Sequence, residues 1–226
     1  MEMDKIFSGV KLKSKQFCCG DKTFKIDYSD DLDAIIDQMT NEQFEKDERF
    51  PYFFAIWDSG VLLAEYILKD LKSLKGKTVL ELGAGTGISG IALALNSDCR
   101  VIFTDYEEYS CRLCRHNCEI NNLHNFDTVT ADWRDFPEIN ENIDIVICSD
   151  VLYEKKQVAP LFNVLNSFLQ RKIPVYLADP GRAYIGQFLQ LVKDSGYSIK
   201  ASKEKDVKEN KLLSETNIYV IENQQS

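Results

Sequence analysis

The chain has 226 residues, 44% of them apolar, enough to bury one sizeable core, and a formal net charge of −9. The negative charge, concentrated in Asp30 to Glu48, disfavours RNA and DNA, whose binding draws mostly on Lys and Arg, and suits either plain solubility or encounter with a basic protein surface. No apolar run is long enough for a bilayer, Glu2 and Asp4 stand where a signal peptide would be basic, and seven cysteines lack a small-scaffold spacing, so a reducing, cytoplasmic address is expected.

Along the chain, Lys13 to Ile26 alternate loosely around Gly20-Asp21, predicting a β-hairpin that serves as a lid or an edge. Asp30 to Phe44 places Leu32, Ile35, Ile36, Met39 and Phe44 near helical spacing, predicting a short acidic amphipathic helix, with Glu45 to Arg49 as a loop. Phe50 to Trp57 holds five aromatics in eight residues ahead of a helix from about Val61 to Leu71. Most of these rings read as an apolar plug under a sheet, whereas Trp57 is singled out as able to close over a bound ligand.

The pivot of the sequence is the apolar strand from Thr78 that runs through Glu81 and Leu82 into Gly83-Ala84-Gly85-Thr86-Gly87 and a helix from Ile88 to Leu95. Three glycines in five residues let bare backbone approach a ligand beside the helix's amides. Ile88 stands where a dinucleotide fingerprint needs its third glycine, and Glu81 would repel a pyrophosphate. Asp105 closes the next apolar run, Arg100 to Thr104, in the position from which a strand-end carboxylate reaches ribose hydroxyls. One anion for an amine and one for a ribose point to S-adenosylmethionine, which has an ammonium, a sulfonium and a ribose but no phosphate.

Strand-like runs then alternate with helical ones: Glu107 to Asn121 helical, Asp127 to Thr130 and Ile143 to Ser149 extended, Val158 to Leu169 helical, Pro174 to Ala178 extended and Tyr184 to Ser195 helical. Tyr197 to Lys203 and Asn217 to Glu222 form a closing hairpin, with the charged stretch Lys203 to Lys211 as its loop. The pattern predicts a Rossmann-like α/β sheet of seven strands, mostly parallel with an antiparallel finish. Cys111, Cys114 and Cys118 share one helical stripe, which reads as core packing rather than a metal site, and no metal is expected.

Asp132 and Trp133, after the third strand, are placed to meet an adenine. Ser149 and Asp150 end the next strand, and Tyr153 follows three residues on. Asp150 is assigned to hold an amine nucleophile so that its lone pair faces a methyl group, with Tyr153 facing the developing cation; the plainer alternative is a turn capped by Asp150. Arg182, in Asp179-Pro180-Gly181-Arg182, either pairs Asp150, grips a substrate carboxylate or stiffens a turn.

On Ile56-Trp57-Asp58-Ser59-Gly60, the glycine loop from Glu81, Asn117 to Leu123, and the D-x-x-Y segment Asp150 to Tyr153, the chain resembles the seven-β-strand lysine methyltransferases of methyltransferase family 16. Asp179 to Arg182 is similar to the branch acting on the electron transfer flavoprotein β-subunit. The resemblance covers about Phe50 to Glu222 and implies cofactor contacts at Trp57, the glycine loop from Glu81 through Gly83, Gly85 and Gly87, Asp105 and Trp133; Asp132 and Ser149 are expected to join them. It implies a protein substrate whose lysine meets Asp150 and Tyr153; a monomer is expected, with residues 1–49, which are not part of the family pattern, as an extension of a catalytic domain at 50–226. Phe53 stands where that branch favours tryptophan, and Glu215 to Tyr219 replaces its Thr-Thr-x-Trp close.

Overall fold

Gly20 takes a left-handed φ of +54° between two alternating runs, and an antiparallel hairpin of β1 (Lys13–Cys19) and β2 (Lys22–Tyr28) forms around it. The computed structural model describes residues 11–31, 52–208 and 211–223. Beyond Asp31 the expected acidic helix, the loop Glu45 to Arg49 and the first two residues of the aromatic cluster lie outside the described residues. The hairpin is neither a lid nor an edge of the large sheet. Asn117 and Asn121 bond its backbone at Lys25 and Asp27, and Phe24 and Ile26 enter the core of the main body.

The rest of the chain follows its apolar runs: α1 (Ser59–Asp70), β3 (Thr78–Leu82), α2 (Ile88–Ser97), β4 (Arg100–Asp105), α3 (Glu108–Ile120) and β5 (Phe126–Thr130). Then come β6 (Ile145–Ser149), α4 (Val158–Gln170), β7 (Val175–Asp179), α5 (Ile185–Asp194), β8 (Tyr197–Lys208) and β9 (Lys211–Asn223). The central strands are mostly apolar because helices cover both faces, and the buried polar residues Glu81, Asp105 and Asp179 lie at or near their carboxyl ends. Val79, Val101, Phe103, Ile145 and Tyr176 pack towards α1, α2 and α3, while Leu80, Leu82, Ile102, Val146 and Leu177 pack towards α4 and α5.

The seven-stranded sheet has the order β5-β4-β3-β6-β7-β9-β8, parallel except for β9, which runs antiparallel to both neighbours. Chain order reverses between β3 and β6, so the loops leaving these two strands diverge and open a crevice at their carboxyl ends. The charged stretch Lys203 to Lys211 is not a loop. β8 continues through it to Lys208, because Lys203 and Lys205 both reach Glu215 across the ladder, at 2.6 and 3.2 Å, and cross-strand ion pairs support the extended form.

Candidate active site

The crevice floor is the turn from β3 into α2. Gly83, Gly85 and Gly87 have φ of +66°, +54° and +79°, left-handed conformations that residues with a Cβ enter only with strain. A Cβ on Gly87 would lie 2.4 Å from the Cys114 sulfur, so this glycine serves the packing of the loop on α3. Gly83 and Gly85 line the open cleft and Gly87 does not.

Two acids set the charge of the floor. Asp105 is buried at the tip of β4; one oxygen accepts from Gly85 N–H at 3.0 Å and the other from Glu107 N–H at 3.1 Å. Those bonds, with further ones from Ser110 and the Tyr106 backbone, fix the carboxylate beneath the loop. Burial nonetheless pushes its pKa up. Glu81, only 2% exposed, accepts from Gly90 N–H at 2.9 Å and is also bonded by Ser89; burial raises its pKa to about 8. The carboxyl thus ties β3 to the first turn of α2 while lining the cleft.

On the β5 side, Asp132 caps a 3-10 turn, Trp133–Asp135, and the Trp133 ring lies near Gly83. Arg134 already bonds both Asp132 oxygens, so an adenine amino group there would share that carboxylate. At the tip of β6, the buried Ser149 hydroxyl has no hydrogen-bond partner and lines the cleft.

The mouth is aromatic. Tyr52 meets Tyr153 edge-on at 5.5 Å and Trp57 at 6.4 Å, and the Trp57 indole N–H donates to the Tyr52 carbonyl at 3.2 Å. Burial raises the Tyr153 pKa to about 12, so its hydroxyl is protonated at neutral pH. Asp150 sits between mouth and floor with a left-handed φ of +57° and a side chain 3% exposed. Arg182 donates Nε to one of its oxygens at 2.6 Å and Nη2 to the other at 2.8 Å.

Trp57, Glu81, Gly83, Gly85, Asp105, Asp132, Trp133, Ser149, Asp150 and Tyr153 therefore surround one cleft. Sequence reading missed Tyr52, Tyr106 and Gln157, which also line it. Tyr52 had a signal, as the one hydroxyl-bearing ring in the Phe50 to Trp57 cluster; Gln157, whose side-chain oxygen is buried without a partner, had none. Cys111, Cys114 and Cys118 are buried, and among the described residues no cluster of His, Cys, Asp and Glu is placed to hold a metal.

Residues 41–195 match the family model described as Lysine methyltransferase. The chain belongs to this family, methyltransferase family 16. Proteins similar to the chain include a histidine protein methyltransferase 1 homolog of Dictyostelium discoideum, 32% identical over 55% of the chain and 42% of that protein. The histone-arginine methyltransferase METTL23 of Mus musculus is 34% identical over 54% of the chain and 50% of that protein. The electron transfer flavoprotein beta subunit lysine methyltransferase of Homo sapiens is 29% identical over 58% of the chain and 50% of that protein. The chain spans about half the length of the curated relatives it matches. The fold of this family member is shared with magnesium protoporphyrin IX methyltransferase of Synechocystis with bound SAM, at a TM-score of 0.57, 17% identity, and coverage of 86% of the chain and 98% of that structure.

Proposed function

We propose that the chain is an S-adenosylmethionine-dependent methyltransferase acting on a side-chain nitrogen of a protein, with the lysine amine as acceptor. The observation that carries this reading is the convergence of Glu81, Asp105, the glycine loop and Ser149 on one cleft that Asp150 and Tyr153 also line. The cleft suits the cofactor: it offers carboxyls to an ammonium and a ribose, and a partnerless buried hydroxyl at Ser149. Residues 50–226 are the catalytic domain in this reading, and residues 1–49 an extension of it.

Gly83 and Gly85 would bring backbone against the ligand, Glu81 would receive its amine, Asp105 its ribose, and Trp133 with Asp132 its base. When bound, the cofactor supplies a methyl carbon whose bond to sulfur breaks, sulfur keeping the electron pair, as a nitrogen lone pair forms the new bond. Asp150 orients the acceptor by taking one of its N–H bonds, and Tyr153 and Tyr52 wall the reacting centre from water. Positioning of this kind supplies much of the rate in a displacement, about 7–11 kcal/mol for well-aligned groups. The names of the relatives support a protein acceptor, and the electron transfer flavoprotein β-subunit is the first to try.

Titration calorimetry with adenosylhomocysteine should show binding to the wild type that Gly85→Arg abolishes, and lack of wild-type binding would reject the cofactor. Asp150→Asn should retain adenosylhomocysteine binding and slow methyl transfer about a hundredfold or more. Labelled cofactor incubated with cell lysate, followed by mass spectrometry, identifies the acceptor. Methyllysine supports the reading; methylarginine, methylhistidine or label confined to small molecules replaces it.

A further inference from the structure

The carboxylate assigned to the acceptor amine is already neutralised. Arg182 holds both Asp150 oxygens, its guanidinium lies 5.2 Å from the Trp57 ring centre, and the residue's backbone N–H donates to the Asp179 carboxylate at 2.7 Å. The tip of β6 and the turn before α1 thus hold the cation, and the tip of β7 anchors its backbone. A left-handed, non-glycine Asp150 whose N–H is bonded to Ala178 O at 2.9 Å is a conformation that costs stability, and such strain gathers where a side chain must be aimed. The arrangement is more elaborate than a turn cap requires.

Its chemical consequence concerns the proton on the acceptor. A free lysine has a pKa near 10.4, so at pH 7 only about one in 2,500 is neutral and able to attack. A bare carboxylate within about 4–6 Å would raise that pKa by about 1–3 units, making the reactive form rarer still. Arg182 remains charged at every working pH. Its bidentate contact takes one lone pair from each Asp150 oxygen and leaves others to accept an N–H from an uncharged amine.

We propose that Arg182 is a positioning residue that cancels the charge of Asp150, so that the acceptor nitrogen docks against this carboxylate without being held as an ammonium. The inference rests on the amine-methyltransferase reading above. It makes the Arg182–Asp150 pair the device that separates two properties a lone acid would join, orientation of the nitrogen and stabilisation of its proton. Trp57 holds the guanidinium in place through its face and keeps it from swinging into the cleft.

Other groups also act on this corner. Asp179 on β7 and Tyr52 before α1 act on Arg182 from the rim, and Tyr219 on β9 interacts with Asp179; Tyr153, Glu154 and Lys156 lie after β6, and Glu81 and Asp105 at the floor. All are retained when Arg182 alone is replaced, so a change in the pH profile on that replacement reports the arginine's charge.

The test is the pH dependence of kcat, which reports protonation in the enzyme–substrate complex. The acceptor is the purified protein that takes label from the lysate, at saturating concentration, between pH 6 and 10 on about a unit spacing. Arg182→Gln is expected to move the acid limb up by about one unit or more, a loss of roughly tenfold at pH 7 that shrinks as pH rises, while Arg182→Lys keeps the wild-type limb. Adenosylhomocysteine binding by each variant verifies that it is folded. An equal fractional loss at every pH, or an unmoved limb, overturns the inference while leaving the methyltransferase reading intact. No transfer by the wild type to any acceptor overturns both.

Discussion

Glu81 shows how a single residue can serve the fold and the cleft at a cost to each. Its carboxyl is the acceptor for Gly90 N–H, and a Cβ on Gly90 would lie 2.6 Å from the same oxygen, so the contact depends on a glycine facing it. Burial raises its pKa from 4.5 to about 8. Between those values the native state keeps a proton that the unfolded chain has released, so stability falls as pH rises through the window. Urea midpoints should therefore decline from about pH 5 to pH 8 in the wild type. Glu81→Gln should flatten that part of the decline, and an unchanged slope in the variant would remove Glu81 as its source.

At the scale of elements, the connection between the N-terminal hairpin and the glycine loop passes through one side chain. Asn117, fully buried on α3, accepts from Asp27 N–H at 2.8 Å and donates to Asp27 O at 3.1 Å and Thr86 O at 2.9 Å. His116 meets the Asp27 carboxylate at 2.7 Å beside it. Truncation to Asn117→Ala leaves buried backbone groups without partners, which costs about 1–3 kcal/mol. Urea denaturation should show that loss, and calorimetry should show weaker adenosylhomocysteine binding, since Thr86 belongs to the loop that lines the cleft. A variant equal to wild type in both would mean that water restores the bonds.

The same scale shows where local patterns were informative. The apolar runs of β3, β4, β6 and β7 and the Cys111, Cys114, Cys118 stripe were legible because burial on both faces or on one helical face leaves a periodic mark. The stretch Lys203 to Lys211 was misread as a loop because charge in a sequence does not reveal a partner strand. Glu215, ten or more residues downstream, makes the extended form favourable. The hairpin's seat on α3 was likewise invisible, since it depends on contacts about 90 residues apart.

For the whole molecule, sheet and helices bury six of the seven cysteines and leave Cys18 exposed, all as free thiols. Burial raises the pKa of Cys19 to about 12 and of Cys111 to about 11, so neither offers a thiolate at neutral pH. Thiol titration of the native protein should find one fast-reacting group, and denaturation should release all seven. Two or more fast thiols in the native state would contradict the burial of the other six cysteines. At the molecule's outer edge, β8 carries Lys200, Lys203 and Lys205, charges of the kind that discourage strand pairing between molecules.

By itself the sequence determined the strand, glycine turn and helix around Glu81, the seven apolar runs and the presence of acids at their ends. Each of these depends on residues within a few positions of one another, through backbone freedom and burial periodicity. Only the tertiary structure decided that Asp150 faces Arg182 rather than open solvent, that Trp57 covers that arginine, and that Asn117 joins the hairpin to the cleft. Those contacts arise from strand order and from the direction in which strand tips aim their side chains. A carboxylate's chemistry depends on which charge stands beside it, and that neighbour is set by the packing of the chain in space.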